Sequence, residues 1–242
     1  VTVVASRFVL LSHPLRADSP VWPGNPAAAR VEATDSIERG DVVNTSVLEL
    51  FSHSGTHVDT PWHFDAAGPA AWQLPIERFV FESPRLVAVP AGAGELVTRE
   101  ALATHAATVA GADLLMLRTG WGAERDRDPI RYAQDGPMLH PDAARWLIDE
   151  HPDLRAIATD AISIGSPRHL DATTEVHRIL AGAGRTDGRF VLVYEDVHLV
   201  PEAARAIRVY AWPLLVEGAD GSPLTIVAEL RDEPGGSSTP PG

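Results

Sequence analysis

Phe51-Ser-His-Ser-Gly-Thr-His-Val-Asp-Thr-Pro-Trp-His-Phe64 packs His53, His57, Asp59 and His63 into eleven residues. The chain has ten histidines in 242 residues, so three this close point to a shared task. Imidazole and carboxylate together form a donor set suited to Zn²⁺, Mn²⁺ or Fe²⁺. Histidines at i and i+4 can ligate a metal from one helix face, but this stretch does not favour a helix. Gly55 costs helix stability, Thr56, Val58 and Thr60 are β-branched, and Pro61 breaks the ladder. In an extended chain all four candidates are odd-numbered and project from one face. A straight strand would hold His53 and His57 ~13 Å apart at ~3.3 Å per residue. That is too far for two ligands each ~2.1 Å from one ion. The stretch therefore predicts a bent loop or distorted strand end, with Gly55 supplying one bend and Pro61 a second. Structural histidines bonded to backbone are the simpler account of one imidazole, but a poor account of three beside an aspartate.

Outward from this stretch, short β-branched runs bounded by Gly, Pro or Asp predict strands over Phe8–Ser12, Val42–Phe51, Arg85–Val89, Leu114–Leu117, Ala156–Thr159, Phe190–Tyr194, Ile207–Val216 and Leu224–Leu230. Helices are predicted over Thr98–Val109, with Thr98 as N-cap, over Pro141–Glu150, and over Thr173–Leu180 ahead of Gly182 and Gly184. Strands outnumber helices in mixed order, which gives an α/β or α+β single domain. That domain is expected over residues 1–232. Residues 233–242, rich in Pro, Gly and Ser with no apolar residue to dock them, are expected to be disordered. Glu124–Asp128 reads as a solvated charged loop, and Trp72, Trp146 and Trp212 read as core.

Composition removes several function classes. There is no cysteine, hence no disulfide framework, thiolate metal site or cysteine nucleophile. There is no lysine either, hence no Schiff base and no Walker lysine. A net charge of −13 argues against nucleic acid or anionic lipid as partner. No stretch approaches the ~20 apolar residues of a membrane span, and the apolar start carries Arg7, so a cytoplasmic location is expected. Ala161-Ile-Ser163-Ile-Gly165 lacks the first glycine of a nucleophile elbow.

His53-Ser-Gly-Thr-His57-Val-Asp59-Thr-Pro61-Trp-His63-Phe64 resembles the H-x-G-T-H-x-D-x-P-x-H-F signature of the cyclase family of metal-dependent hydrolases, which includes bacterial kynurenine formamidases and isatin hydrolases. Further segments resemble the family across nearly the whole chain: Leu11–Leu15, Pro20–Asn25, Arg118–Trp121, Ala144–Leu147, Thr159–Ser163, and His177–Leu180 with Glu195. The resemblance implies a swivelling β/β/α domain, usually in an oligomer, here a homodimer or homotetramer. It implies metal ligation by His53, His57, Asp59, His177 and Glu195, with Asp59 able to bridge where two ions are present. It implies proton transfer by His63 and substrate contact by Trp22. Asn25 and Gly165 depart from the family pattern, each standing where an aspartate is common, and the stretch between His177 and Glu195 is longer than in the formamidases. Asp196 adjoins Glu195, but strand alternation sends the two to opposite faces.

These groups suit a metal-dependent hydrolase. A divalent ion, Zn²⁺ or Mn²⁺ and one or two in number, can activate water and polarise a carbonyl, while His63 carries a proton. Trp22 and Trp62 would form an aromatic wall for a planar small-molecule substrate, an N-formyl arylamine or a cyclic aryl amide. A metal-dependent cyclase or dehydratase, and a non-catalytic metal-binding protein, are the alternatives.

Overall fold

The computed structural model describes residues 7–231. Its strands are β1 (Arg7–Leu10), β2 (Ala29–Asp35), β3 (Thr45–Leu50), β4 (His57–Asp59), β5 (Val80–Phe81), β6 (Pro84–Ala88), β7 (Leu96–Val97), β8 (Leu114–Arg118), β9 (Met138–Leu139), β10 (Ala156–Thr159), β11 (Leu192–Glu195), β12 (Ala206–Pro213) and β13 (Gly221–Leu230). Its helices are α1 (Arg99–Ala103), α2 (Ala106–Val109), α3 (Glu124–Arg127), α4 (Pro129–Gln134), α5 (Pro141–Glu150) and α6 (Leu170–Leu180). Each of the eight strands expected from the sequence is present, with ends shifted by a few residues. The N-terminal six residues and the Pro/Gly/Ser-rich end lie outside the described residues.

The main sheet runs β5-β12-β13-β4-β11-β10-β8-β6, with β1 also paired to β13. Strands β6, β8, β10 and β11 run parallel to their neighbours among these four. Leu114–Leu117 of β8 and all of β10 are buried on both faces, as parallel strands covered on two sides must be. β12 and β13 instead alternate, over most of their length, buried residues with half-buried or exposed ones. The two ends of the order, β5 and β6, are joined by Glu82 and Ser83 alone, and β12 also approaches β6. The sheet thus curls into a nearly closed barrel within a mixed α/β single domain. Leu114, Met116, Ala158 and Tyr194 face into the barrel with β12 and β13, whereas Leu115, Leu117, Ile157 and Val193 pack against Ala143, Leu147, Val176 and Leu180 of α5 and α6. Among the described residues no helix is long and apolar enough to cross a membrane.

The structure departs from the sequence reading at several places. The helix expected over Thr98–Val109 is capped by Thr98, whose side chain accepts the Ala101 N–H, but it breaks into α1 and α2. At the break the Thr104 hydroxyl donates to the Ala101 carbonyl at 2.7 Å, competing with the helical ladder. β2 was not expected, because Ala-Arg-Val-Glu-Ala-Thr-Asp is poor strand sequence; it forms by pairing with β3 in a separate two-stranded ribbon. Glu124–Asp128 is not a solvated loop, since it forms α3 and buries Arg125. Trp146 is core, but Trp212 is 49% exposed on the outward phase of β12, and Trp72 is also exposed.

Candidate metal centre

β4 is the hub of the site. It lies between β11 and β13, antiparallel to both, with His57 opposite Glu195 and Asp59 opposite Gly221. His57 and Asp59 share the face toward α6, and Val58 turns into the barrel core. Ahead of β4, Gly55 has φ +59°, a region that favours glycine, and a Cβ there would sit 2.7 Å from Leu15 Cδ1. This kink folds His53 back until its ring centroid is 5.3 Å from that of His57. From the opposite side α6 supplies His177, on the same stripe as Leu170, Thr173 and Thr174.

His53, His57, Asp59, His177 and Glu195 therefore converge, all but His53 fully buried. His57 Nδ1 donates to the Gly55 carbonyl at 2.8 Å, and His177 Nδ1 donates to the Thr173 carbonyl at 2.7 Å. A carbonyl only accepts, so each neutral imidazole is left with a lone pair on Nε2. His57 Nε2 faces Asp59 Oδ1 at 3.3 Å and Glu195 Oε2 at 3.4 Å. His177 Nε2 faces Glu195 Oε1 at 3.3 Å and Asp59 Oδ2 at 3.5 Å. With Nε2 neutral, lone pair meets lone pair, and positive charge between them, a metal ion or a proton, stabilises the array. Two donors each ~2.1 Å from one tetrahedral ion stand ~3.4 Å apart. A charge-assisted N–H···O bond would be shorter, about 2.7–2.9 Å. The donor set fits a divalent ion, and the backbone carbonyls holding Nδ1 are the outer partners such ligands need.

The electrostatics show how strongly the carboxylates draw positive charge to this site. Burial opposes the charge on each group, and the neighbours outweigh it. Asp59 and Asp220 hold His53 up at about 9. Asp59 and Glu195 raise His57 well above its ordinary value, and Glu195 with Asp59 raises His177. Against burial, His53 and His57 hold Asp59 below the usual carboxylate range, and His177 and His57 do the same for Glu195. Glu195 Oε1 also accepts the Ser163 hydroxyl at 2.8 Å and the Ile164 N–H at 2.7 Å. Ser163 thus aims a carboxylate and is not placed as a nucleophile. Asp196, the neighbour, turns away with φ +50° and pairs with Arg125.

The cluster floors a cavity of about 460 Å³, within the range of small-molecule sites. Trp22, Phe51, Phe64, Ile162 and Leu170 supply apolar wall, and Asn25 and His63 also line it. Trp22 packs against Trp121, Tyr132 and Ile162. That wall is tied by Asp160, whose carboxylate accepts from Thr119 N–H at 2.8 Å, Thr119 Oγ1 at 2.6 Å and Gly120 N–H at 2.8 Å. The structure does not bring Trp62 to the cavity. It sits on the tight turn Pro61–His63, which points His63 inward and leaves Trp62 39% exposed. His169 and His198 flank the late segments but do not line the cavity: His169 bonds the Gly94 carbonyl, and His198 stacks on His13. Sequence reasoning did not find Ser163 as a partner of Glu195. It also missed Asp220, which touches both His53 and His63.

Comparison with known proteins gives this geometry a family. Residues 9–166 match the profile of a family described as putative cyclase. A protein of Maricaulis maris named kynurenine formamidase is 33% identical over 235 residues, covering 93% of this chain and 97% of that protein. One of the same name from Delftia acidovorans is 30% identical over 90% of this chain and 94% of its own length. Among solved structures, isatin hydrolase A from Labrenzia aggregata, bound to benzyl benzoate, aligns with a TM-score of 0.80 at 22% identity over 94% of each chain. A potential metal-dependent hydrolase with cyclase activity aligns with a TM-score of 0.70 at 23% identity, over 95% of this chain and 100% of that one. With its signature histidines gathered at the mouth of β4 and a profile match across most of its length, the chain belongs to the putative cyclase family.

Proposed function

We propose that this protein is a metal-dependent hydrolase of a non-peptide carbon–nitrogen amide bond in a small aromatic substrate, an N-formyl arylamine or a cyclic aryl amide. The observation that carries this reading is the buried array of imidazole lone pairs set against carboxylate oxygens at 3.3–3.5 Å, at the floor of an aromatic-walled cavity. The relatives named kynurenine formamidase support the amide chemistry. His53, His57 and Asp59 would hold one ion, Zn²⁺ or Mn²⁺. Asp59, His177 and Glu195 would hold a second where two bind. When bound, such an ion lowers the pKa of water toward neutrality and polarises the substrate carbonyl.

The chain's own residues supply the rest. Trp22, rather than Trp62, packs on the aryl group, and Phe51 and Phe64 exclude bulk water around the amide. His63 takes a proton from the attacking water and delivers it to the departing nitrogen, so that water and amide become acid and amine. An imidazole suits this because it alone among side chains ordinarily titrates near neutrality. We also propose that the protein is a homo-oligomer. The supporting feature is the uncovered apolar face of the β2–β3 ribbon, where Val31, Leu48 and Leu50 lie exposed together.

The test is a screen of N-formylkynurenine, isatin and related lactams with Zn²⁺ or Mn²⁺ in ¹⁸O-labelled water. The expected result is metal-dependent turnover, abolished by chelator and restored by added ion, with label in the product acid. Turnover without label would instead mark a cyclase or dehydratase. Tight metal binding without turnover would mark a metal-binding protein. His63→Ala is expected to retain its metal by elemental analysis and to lose turnover about 10²-fold or more. Parallel loss of metal and turnover would make His63 a ligand instead.

A further inference from the structure

The loop between β12 and β13 carries a carboxylate that the motif does not include, and with His53 and His63 it forms a third group of closely spaced ligand atoms beside the two centred on Asp59. Asp220 Oδ2 lies 2.9 Å from His53 Nε2 and 2.8 Å from His63 Nδ1. An ionised carboxylate only accepts, so both imidazoles turn an N–H toward one oxygen. His53 Nδ1 is then the nitrogen turned toward the donor set; it lies 2.8 Å from Asp59 Oδ1, a hydrogen-bond contact that an entering ion would replace. His63 Nε2 is left as the basic nitrogen of a side chain that lines the cavity. The two rings stack with centroids 3.9 Å apart.

Asp220 is itself anchored. Ser52 Oγ donates to its Oδ1 at 3.1 Å, and Thr60 Oγ1 donates to its main-chain carbonyl at 2.7 Å. Gly221 pairs with Asp59 in the β13–β4 ladder, and a Cβ on Gly221 would stand 2.5 Å from His53 Cε1, so the loop lies directly on the ring. We infer that Asp220 is a positioning residue that couples the two ends of the site: through one oxygen it sets His53 to offer Nδ1 to the metal and His63 to offer Nε2 to the substrate. The His63 half rests on the hydrolase reading above; the His53 half does not.

The experiment compares Asp220→Ala and Asp220→Asn with the wild-type full chain. Co²⁺ alone is the binding probe, read by affinity and by the d–d absorption of the loaded protein. Removing an outer hydrogen-bond partner of a metal-bound histidine costs 10–100-fold in affinity or activity. Asp220→Ala should therefore bind Co²⁺ roughly 10–100-fold more weakly. Its d–d bands should shift, and at saturating metal kcat should fall about tenfold or more with KM within about twofold. Asp220→Asn keeps an acceptor oxygen in place and should recover most of the Co²⁺ affinity, which a merely structural role would not require. The assignment is overturned if Asp220→Ala matches wild type in affinity and spectrum. It is also overturned if that variant loses a Co²⁺ equivalent that no excess of ion restores, because Asp220 would then be a ligand. Should wild type bind Co²⁺ but hydrolyse no amide, the hydrolase reading and the His63 half fall, and the Co²⁺ titration still decides the His53 half.

Discussion

Asp59→Ala is expected to lose its tightly bound metal and to lower turnover by at least about 10⁴-fold, the largest single loss available in this site. Asp59 is the residue that the two three-ligand groups, His53–His57–Asp59 and Asp59–His177–Glu195, share. Oδ1 faces His53 at 2.8 Å and His57 at 3.3 Å, and Oδ2 faces His177 at 3.5 Å. Both three-ligand groups around it need it, so its removal leaves His53 with His57 on one side and His177 with Glu195 on the other. Two ligands in place of three forfeit the ion, and with it a shift of bound-water pKa from 15.7 to about 7. That shift alone spans far more than four decades of hydroxide availability. Asp59→Asn, which keeps an oxygen but not the charge, should fall between the two. Elemental analysis of purified protein and single-turnover rates at saturating metal are the measurements. Full metal retention in Asp59→Ala would show that the ion is held elsewhere.

How much of this could be read beforehand depends on the range of the interaction. The kink at Gly55 was legible because a distance argument required it within five residues. The eight strands were legible because each is a short β-branched run closed by Gly, Pro or Asp. His177 and Glu195 were not legible from spacing, and only family resemblance pointed to them. Their approach to Asp59 comes from α6 packing across β11, a tertiary event with no local signature. Asp220 gave less still. It sits in a Gly-Ala-Asp-Gly turn like any surface turn, and its partnership with His63, 157 residues away, exists only because β13 pairs with β4. Trp62 shows the converse: next to a cavity residue in sequence, it is turned out to solvent by the tight turn that turns His63 in. Arg125 was misread for a related reason. Among four charged neighbours it looked solvated, and burial chose it alone because a carboxylate waited behind it.

That buried pair carries the second large effect. Arg125 Nε and Nη2 each lie 2.7 Å from an oxygen of Asp196, in a two-pronged contact with both side chains almost wholly out of solvent. Tyr132 adds a 2.7 Å hydrogen bond to the same carboxylate, and Thr56, next to His57, donates to the Asp196 carbonyl. Removing one partner of a buried ion pair strands the other charge and costs about 3–5 kcal/mol. Arg125→Met, which keeps much of the side-chain bulk, is therefore expected to lower unfolding stability by about 3–5 kcal/mol, seen as a lower urea midpoint with an unchanged m-value. Adding Asp196→Asn to that variant should recover part of the loss, because a neutral amide needs no counter-charge and asparagine accepts the positive φ at this position. If the double variant were no more stable than Arg125→Met alone, the stabilisation would lie in packing of the arginine stem rather than in the charge pair. The effect should also reach the metal. Asp196 follows Glu195 directly, so loosening this anchor frees the end of β11 to move, and metal affinity should fall in Arg125→Met even though Arg125 touches no ligand.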